Sequence, residues 1–141
     1  MELQEHRGGC YCGNLRWTLR SQLAVAQLPV RTCGCGFCRK HGLLTTSDPQ
    51  GEMDFSVSDR TMLLRYRFDT ATADFLMCGR CGVYVGAQME EAGRHYAIAN
   101  LRTLESDGEL GVVQPMDYSS ENAVTRRARR ASRWTPVRTP A

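Results

Sequence analysis

The sequence predicts a mostly β domain, an antiparallel sandwich or barrel-like fold with few short helical turns. Three observations carry this. Hydrophobic and polar residues alternate along much of the chain, as they do on half-buried strands. Helix signals are sparse, and glycines, aspartates and serines punctuate the alternating runs. The chain has 141 residues, 42% of them hydrophobic and 23% charged, which suits one soluble globular domain.

Taken in order, NLRWTLR sets Leu15, Trp17 and Leu19 on one face and Arg16, Thr18 and Arg20 on the other. Further strands are expected at 23–31, 52–57, 62–68, 73–77, 83–88 and 94–99. Pro29 marks the first of these as an edge or a bulge. One helical turn is expected in RKHGLL after Cys38 and another within residues 100–106. The alternation fades from about Gly108, so a domain over 1–110 and an Arg-rich tail over 111–141 are expected.

Residues 121–141 hold six arginines against Glu121 alone, a local +5 in a chain of net charge +3. With two prolines and no apolar face, this end is expected to be loose and solubilising. The alternatives are contact with nucleic acid or an anionic surface, and docking onto a partner. Trp134 favours docking, because a bulky aromatic gains from burial.

No apolar run approaches the ~20 residues of a membrane helix. The opening MELQEHRGGC has no apolar signal region, and the chain has no N-x-[ST] acceptor, so a cytoplasmic protein without membrane contact is expected. G-x-S-x-G, H-E-x-x-H, a Walker-type loop and a strand-borne G-x-G-x-x-G are all missing, which removes the commonest hydrolase, metalloprotease and nucleotide-binding classes.

The seven cysteines fall into three clusters: Cys10 and Cys12 (C-x-C), Cys33, Cys35 and Cys38 (C-x-C-x-x-C), and Cys78 and Cys81 (C-x-x-C). Such spacing suits chelation of zinc better than a disulfide framework. If Cys10 and Cys12 lie on a strand, their thiols point to one face. With Cys78 and Cys81 they supply the four thiolates of a closed tetrahedral site, tying the first strand to a hairpin far along the chain. A thioredoxin-type reading of Cys78 and Cys81 is disfavoured because the strand-like GVYVGAQ follows. The trio of Cys33, Cys35 and Cys38 leaves a fourth metal position for a substrate, the signature of catalytic zinc. Alternatively His41 fills that position and the site is structural. His6 and His95 have no ligand context. Tyr66, Tyr84, Tyr96 and Asn100 line a cleft or, as is commoner for strand residues, pack the sheet.

GGCYCGNLRW, CGCGFCRKHG, LLRYRFDTATADFLMCGRCGVY and YAIANLRTL occur in this order. Together they resemble the glutathione-dependent formaldehyde-activating enzyme family, which also contains centromere protein V, over about residues 5–107. The resemblance implies an Mss4-like fold with two zinc ions. Cys10, Cys12, Cys78 and Cys81 would hold the structural ion, and Cys33, Cys35 and Cys38 the catalytic one. The implied activity is that of a carbon–sulfur lyase, joining glutathione and formaldehyde as S-(hydroxymethyl)glutathione and releasing them in reverse. Gly34 and Gly36 stand where the family often has His or Asn and Ser.

On this reading a small thiol such as glutathione is held as its thiolate on the trio's zinc and meets a small aldehyde nearby. Arg39 and Lys40 are the expected contacts for the glutathione carboxylates, or else plain solvated surface. The competing reading is a zinc-stabilised binding module that meets protein or nucleic acid through its basic tail.

Overall fold

The computed structural model describes residues 2–141. In chain order come β1 (Gln4–Gly9), β2 (Leu15–Ser21), a 3-10 turn (Val25–Gln27), β3 (Val30–Cys33), α1 (Gly36–His41), β4 (Thr45–Thr46) and β5 (Glu52–Val57). A 3-10 turn (Arg60–Met62) leads into β6 (Leu63–Tyr66), β7 (Asp74–Cys78), β8 (Tyr84–Glu91) and β9 (Arg94–Asn100). A last 3-10 turn (Leu101–Thr103) precedes β10 (Val113–Met116), α2 (Ala123–Arg133) and β11 (Thr135–Thr139).

The mostly β class predicted from the alternation is the one observed. Register follows the pattern: Trp17 lies opposite Phe55 and Leu19 opposite Met53 in the antiparallel β2–β5 pair, and all four are buried. The sheet is open and mixed. One antiparallel ribbon runs β1–β2–β5 and another β6–β7–β8–β9. β11 joins them, parallel to β5 and antiparallel to β9. Beyond β9, β4 and β3 continue the sheet to β10, which lies parallel to β3. The strand expected at 23–31 divides into the 3-10 turn and β3; Pro29, having no N–H for a ladder, precedes β3.

Two cores flank the β7–β9 ribbon. Leu76, Val85, Ala97 and Ala99 face one core with Trp17, Leu19 and Met53. Phe75, Tyr84, Ala87, Met89 and Ile98 face the other. Covered on both faces, β8 is buried without a break from Tyr84 to Met89.

The loose end expected over 111–141 is instead a strand, a helix and a second strand. Asn122 caps α2: its side chain accepts from the Thr125 amide at 2.9 Å, and Thr125 Oγ1 accepts from the Asn122 amide at 3.1 Å. The helix ends at Trp134, which is 4% exposed and packed into the second core. The docking that Trp134 suggested is therefore onto the chain's own core. The Ser47 hydroxyl donates to the Arg133 carbonyl and the Asp48 amide to Thr135 Oγ1, both at 2.8 Å, fastening the helix end to β4 and its loop. Arg138 then forks onto Asp54 at 3.0 and 2.8 Å. Among the described residues no helix is long and apolar enough to cross a membrane.

Candidate metal centres

The two outer cysteine pairs come together beside the first core. Cys10 and Cys12 sit in the turn after β1 and not on a strand, so the turn brings their sulfurs to 3.7 Å. Cys78 ends β7, and Cys81 lies in the turn into β8. The Cys12 and Cys78 sulfurs are 3.6 Å apart, and all four lie within 4.8 Å of one another. Each turn closes through a glycine with left-handed φ, Gly13 at +83° and Gly82 at +80°. Their amides donate to the carbonyls of Cys10 and Cys78 at 3.2 and 2.7 Å. The Leu15 and Arg80 amides point at the Cys10 and Cys78 sulfurs at 3.2 and 3.4 Å. Burial pushes the Cys10 thiol up to about 11, with the Leu15 amide opposing. At Cys81 the opposing burial is outweighed by amides of Cys12 and Val83 and by neighbouring thiols, which bring it down to about 6.

The trio occupies the other side of the ribbon. Cys33 ends β3, Cys35 is the N-cap of α1, and Cys38 lies within the helix. The Cys35 amide faces the Cys33 sulfur at 3.5 Å, and the Cys38 amide faces the Cys35 sulfur at 3.4 Å. All three sulfurs lie within 4.8 Å of one another. The hydrogen bond from Cys38 brings Cys33 down to about 5 against the pull of burial, and the shared proton pushes Cys38 well up. Among the described residues no fourth ligand side chain joins the trio. His41 ends α1 exposed to solvent, its ring 4.5 Å from that of Phe37, so the closed C-x-C-x-x-C-x-x-H site does not form.

The trio borders a cavity of about 570 Å³. Phe68, Phe75, Ile98 and Trp134 give it apolar walls. Arg31 from β3 and Arg126, Arg129 and Arg130 from α2 give it a cationic side. Glu121 holds two of these, accepting from Arg129 at 2.7 and 3.0 Å and from Arg126 at 3.2 Å. Arg126 also reaches Asp69, and the Arg129 guanidinium lies 3.6 Å from the centre of the Tyr118 ring. Both clusters can therefore hold metal ions, one closed by four thiols and one open to a cavity.

No protein-family model matches the chain. The crystal structure of a Rhodobacter sphaeroides protein resembles it with a TM-score of 0.57 and 25% identity, covering 77% of this chain and 99% of that one. The likeness supports the fold and brings no function with it.

Arg39 and Lys40 are exposed on α1 and do not border the cavity. Tyr84 is buried among aromatic rings, Asn100 donates to the Tyr84 carbonyl at 2.9 Å, and Tyr66 stacks on Phe37 and Phe68. Tyr84 and Tyr96 pack in the second core and Tyr66 is half exposed beside its ring partners; none of these residues, Asn100 included, borders the cavity. His6 is buried on β1, with Nε2 2.7 Å from the Leu23 carbonyl. Arg126, Arg129 and Arg130 were expected on a loose, solubilising end, and line the cavity instead; Arg31 carried no expectation. The signal for the helix arginines is the spacing of Arg126, Arg130 and Trp134, four residues apart on one helical face behind the Asn122 cap.

Proposed function

We propose that the protein is a zinc-dependent carbon–sulfur lyase acting on a thiol–aldehyde adduct of the S-(hydroxymethyl)glutathione type. One observation carries the reading: three cysteines, with no fourth ligand among the described residues, border a cavity large enough for a small thiol. The ordered motifs that resemble the formaldehyde-activating family agree with it.

The donor sets suit zinc. Four sulfurs about 2.3 Å from a tetrahedral ion lie about 3.8 Å from one another. The spacings at the closed cluster, 3.7 and 3.6 Å, are close to that edge. Cys10, Cys12, Cys78 and Cys81 would hold a structural ion, and Cys33, Cys35 and Cys38 a second one. Zinc bound to the trio supplies acidity toward a substrate thiol while leaving its sulfur nucleophilic.

The remaining contributions are the protein's own. Amides of Cys35 and Cys38 fix the sulfurs of Cys33 and Cys35. The apolar walls limit water around the adduct. Cleavage leaves the C–S electron pair on sulfur, releases the aldehyde and returns the hydroxyl proton to solvent; addition runs the same steps backwards. No oxidant or reductant is required. Against the competing basic-arm module stands the pairing of Arg126, Arg127, Arg129 and Arg138 with acids of the same chain.

Calorimetric titration of glutathione into zinc-reconstituted protein tests the reading. Micromolar-to-millimolar binding that disappears in Cys35→Ser, together with formaldehyde-dependent turnover, supports it. Absence of binding by glutathione and by other small thiols overturns it.

A further inference from the structure

Two of the four cavity arginines have no acid. Arg126 and Arg129 are neutralised by Glu121 and Asp69, but neither Arg130 nor Arg31 forms an ion pair among the described residues. Arg130 is 8% exposed, its Nη1 donates to the Thr72 hydroxyl at 2.9 Å, and its Nε is buried without a partner. Its guanidinium sits 4.8 Å from the centre of the Trp134 ring, which holds it in place while giving it no counter-charge. Arg31 is half-buried and donates only to the Ser47 hydroxyl, at 2.7 Å.

A buried charge left without an anion is costly, and such groups ordinarily pair or bind a ligand. Burial and the like charges of Arg129 and Arg126 bring Arg130 down to about 10, and burial lowers Arg31 as well. The nearest anions therefore leave both uncompensated. Both border the cavity that the cysteine trio borders.

We propose that Arg130, with Arg31, forms an oxyanion subsite that receives a carboxylate of the substrate, so that the substrate is an anionic thiol held at both ends. This deepens the lyase reading and rests on it for the thiol end only. The planar guanidinium suits a carboxylate, which it can meet with two parallel N–H donors. It also moves carboxylate recognition from Arg39 and Lys40, which face solvent on α1, to arginines that border the cavity.

The test compares ω-mercaptocarboxylates, from mercaptoacetate to mercaptohexanoate, with the mercaptoalcohols of equal length. Each is titrated into the zinc-loaded full chain and followed by calorimetry. At one chain length the carboxylate is expected to bind at least about tenfold more tightly than its alcohol. Arg130→Gln should abolish that margin and Arg130→Lys should keep part of it, each checked for folding by circular dichroism. Competition by propionate in the unaltered protein needs no variant and should weaken mercaptocarboxylate binding only.

Equal affinity of acids and alcohols at every length overturns the subsite and leaves the lyase reading intact. Inorganic phosphate displacing the ligand better than propionate overturns the assignment to a carboxylate. Propionate binding that Arg130→Gln removes, with no thiol preference in any compound, supports the subsite while the thiol reading falls.

Discussion

The two cysteine clusters use the same ligand atom for opposite ends. Around the closed one, Cys10 and Cys78 are buried in the core with Trp17 and Leu76, and the Leu15 and Arg80 amides face their sulfurs. Around the open one, Cys35 is exposed, Cys33 and Cys38 are half-buried, and a cavity takes the place of a fourth ligand. The four-thiol cluster joins segments nearly seventy residues apart, whereas the trio comes from six consecutive residues. A metal ion at the first would cross-link the fold; one at the second would close only a local loop. Ligand number and sequence separation, more than ligand chemistry, would divide a staple from an open site.

The largest expected effect tests that division directly. Cys78→Ser should cost on the order of 5 kcal/mol or more of stability, since metal loss and folding are coupled. Cys35→Ser should change stability by about 1 kcal/mol or less while removing thiol binding. Thermal melts beside metal analysis decide it, and equal destabilisation by both variants would collapse the distinction. Trp134→Ala comes next. It should cost about 3–5 kcal/mol and weaken thiol binding, while the four-thiol cluster keeps its metal on gel-filtered protein.

A smaller effect concerns acid. Hydrogen bonds from Arg129 hold the Glu121 carboxyl below the usual carboxylate range, with burial opposing. Its contribution is then complete above the unfolded value of about 4.3 and is lost as pH falls through the lower folded value. Urea denaturation should show wild type more stable than Glu121→Gln at neutral pH, the gap closing in strong acid. The smallest effect is at the helix cap, where Asn122→Ala should cost about 1 kcal/mol and loosen the cavity's cationic side without touching the closed cluster. Hydrogen exchange confined to α2 checks it.

β2 was legible because its alternation reports a core lying on one side, whereas β7 to β9, flanked by two cores, read as short apolar runs between turn residues. β5 falls at 52–57 as expected, and β2, β7 and β9 depart by a residue or so at their ends. The trio was legible because spacing alone puts its thiols together, and the joining of Cys10 and Cys12 to Cys78 and Cys81 because two pairs make up the four thiols of a closed site. The α2–β11 segment was not. Its buried face is made of Arg126 and Arg130, whose charge reads as solvated, and their partners Asp69 and Thr72 lie more than fifty residues away. Pro136 argued against a strand, yet β11 accommodates it where it pairs with Tyr96. The site's cationic side was hidden for the same reason: composition counts arginines but does not say which of them have found an acid.

The placement of β11 bears on how the protein is made. Synthesis delivers the chain from its N-terminus, so β5 and β9 exist long before residues 135–139, the strand that lies between them. Until then each ribbon has an open edge, a template for pairing with another nascent chain. α2 arrives just ahead of β11, so the cysteine trio lacks the arginine side of its cavity through most of translation. Order of emergence thus separates assembly of the cysteine trio from creation of the cavity beside it.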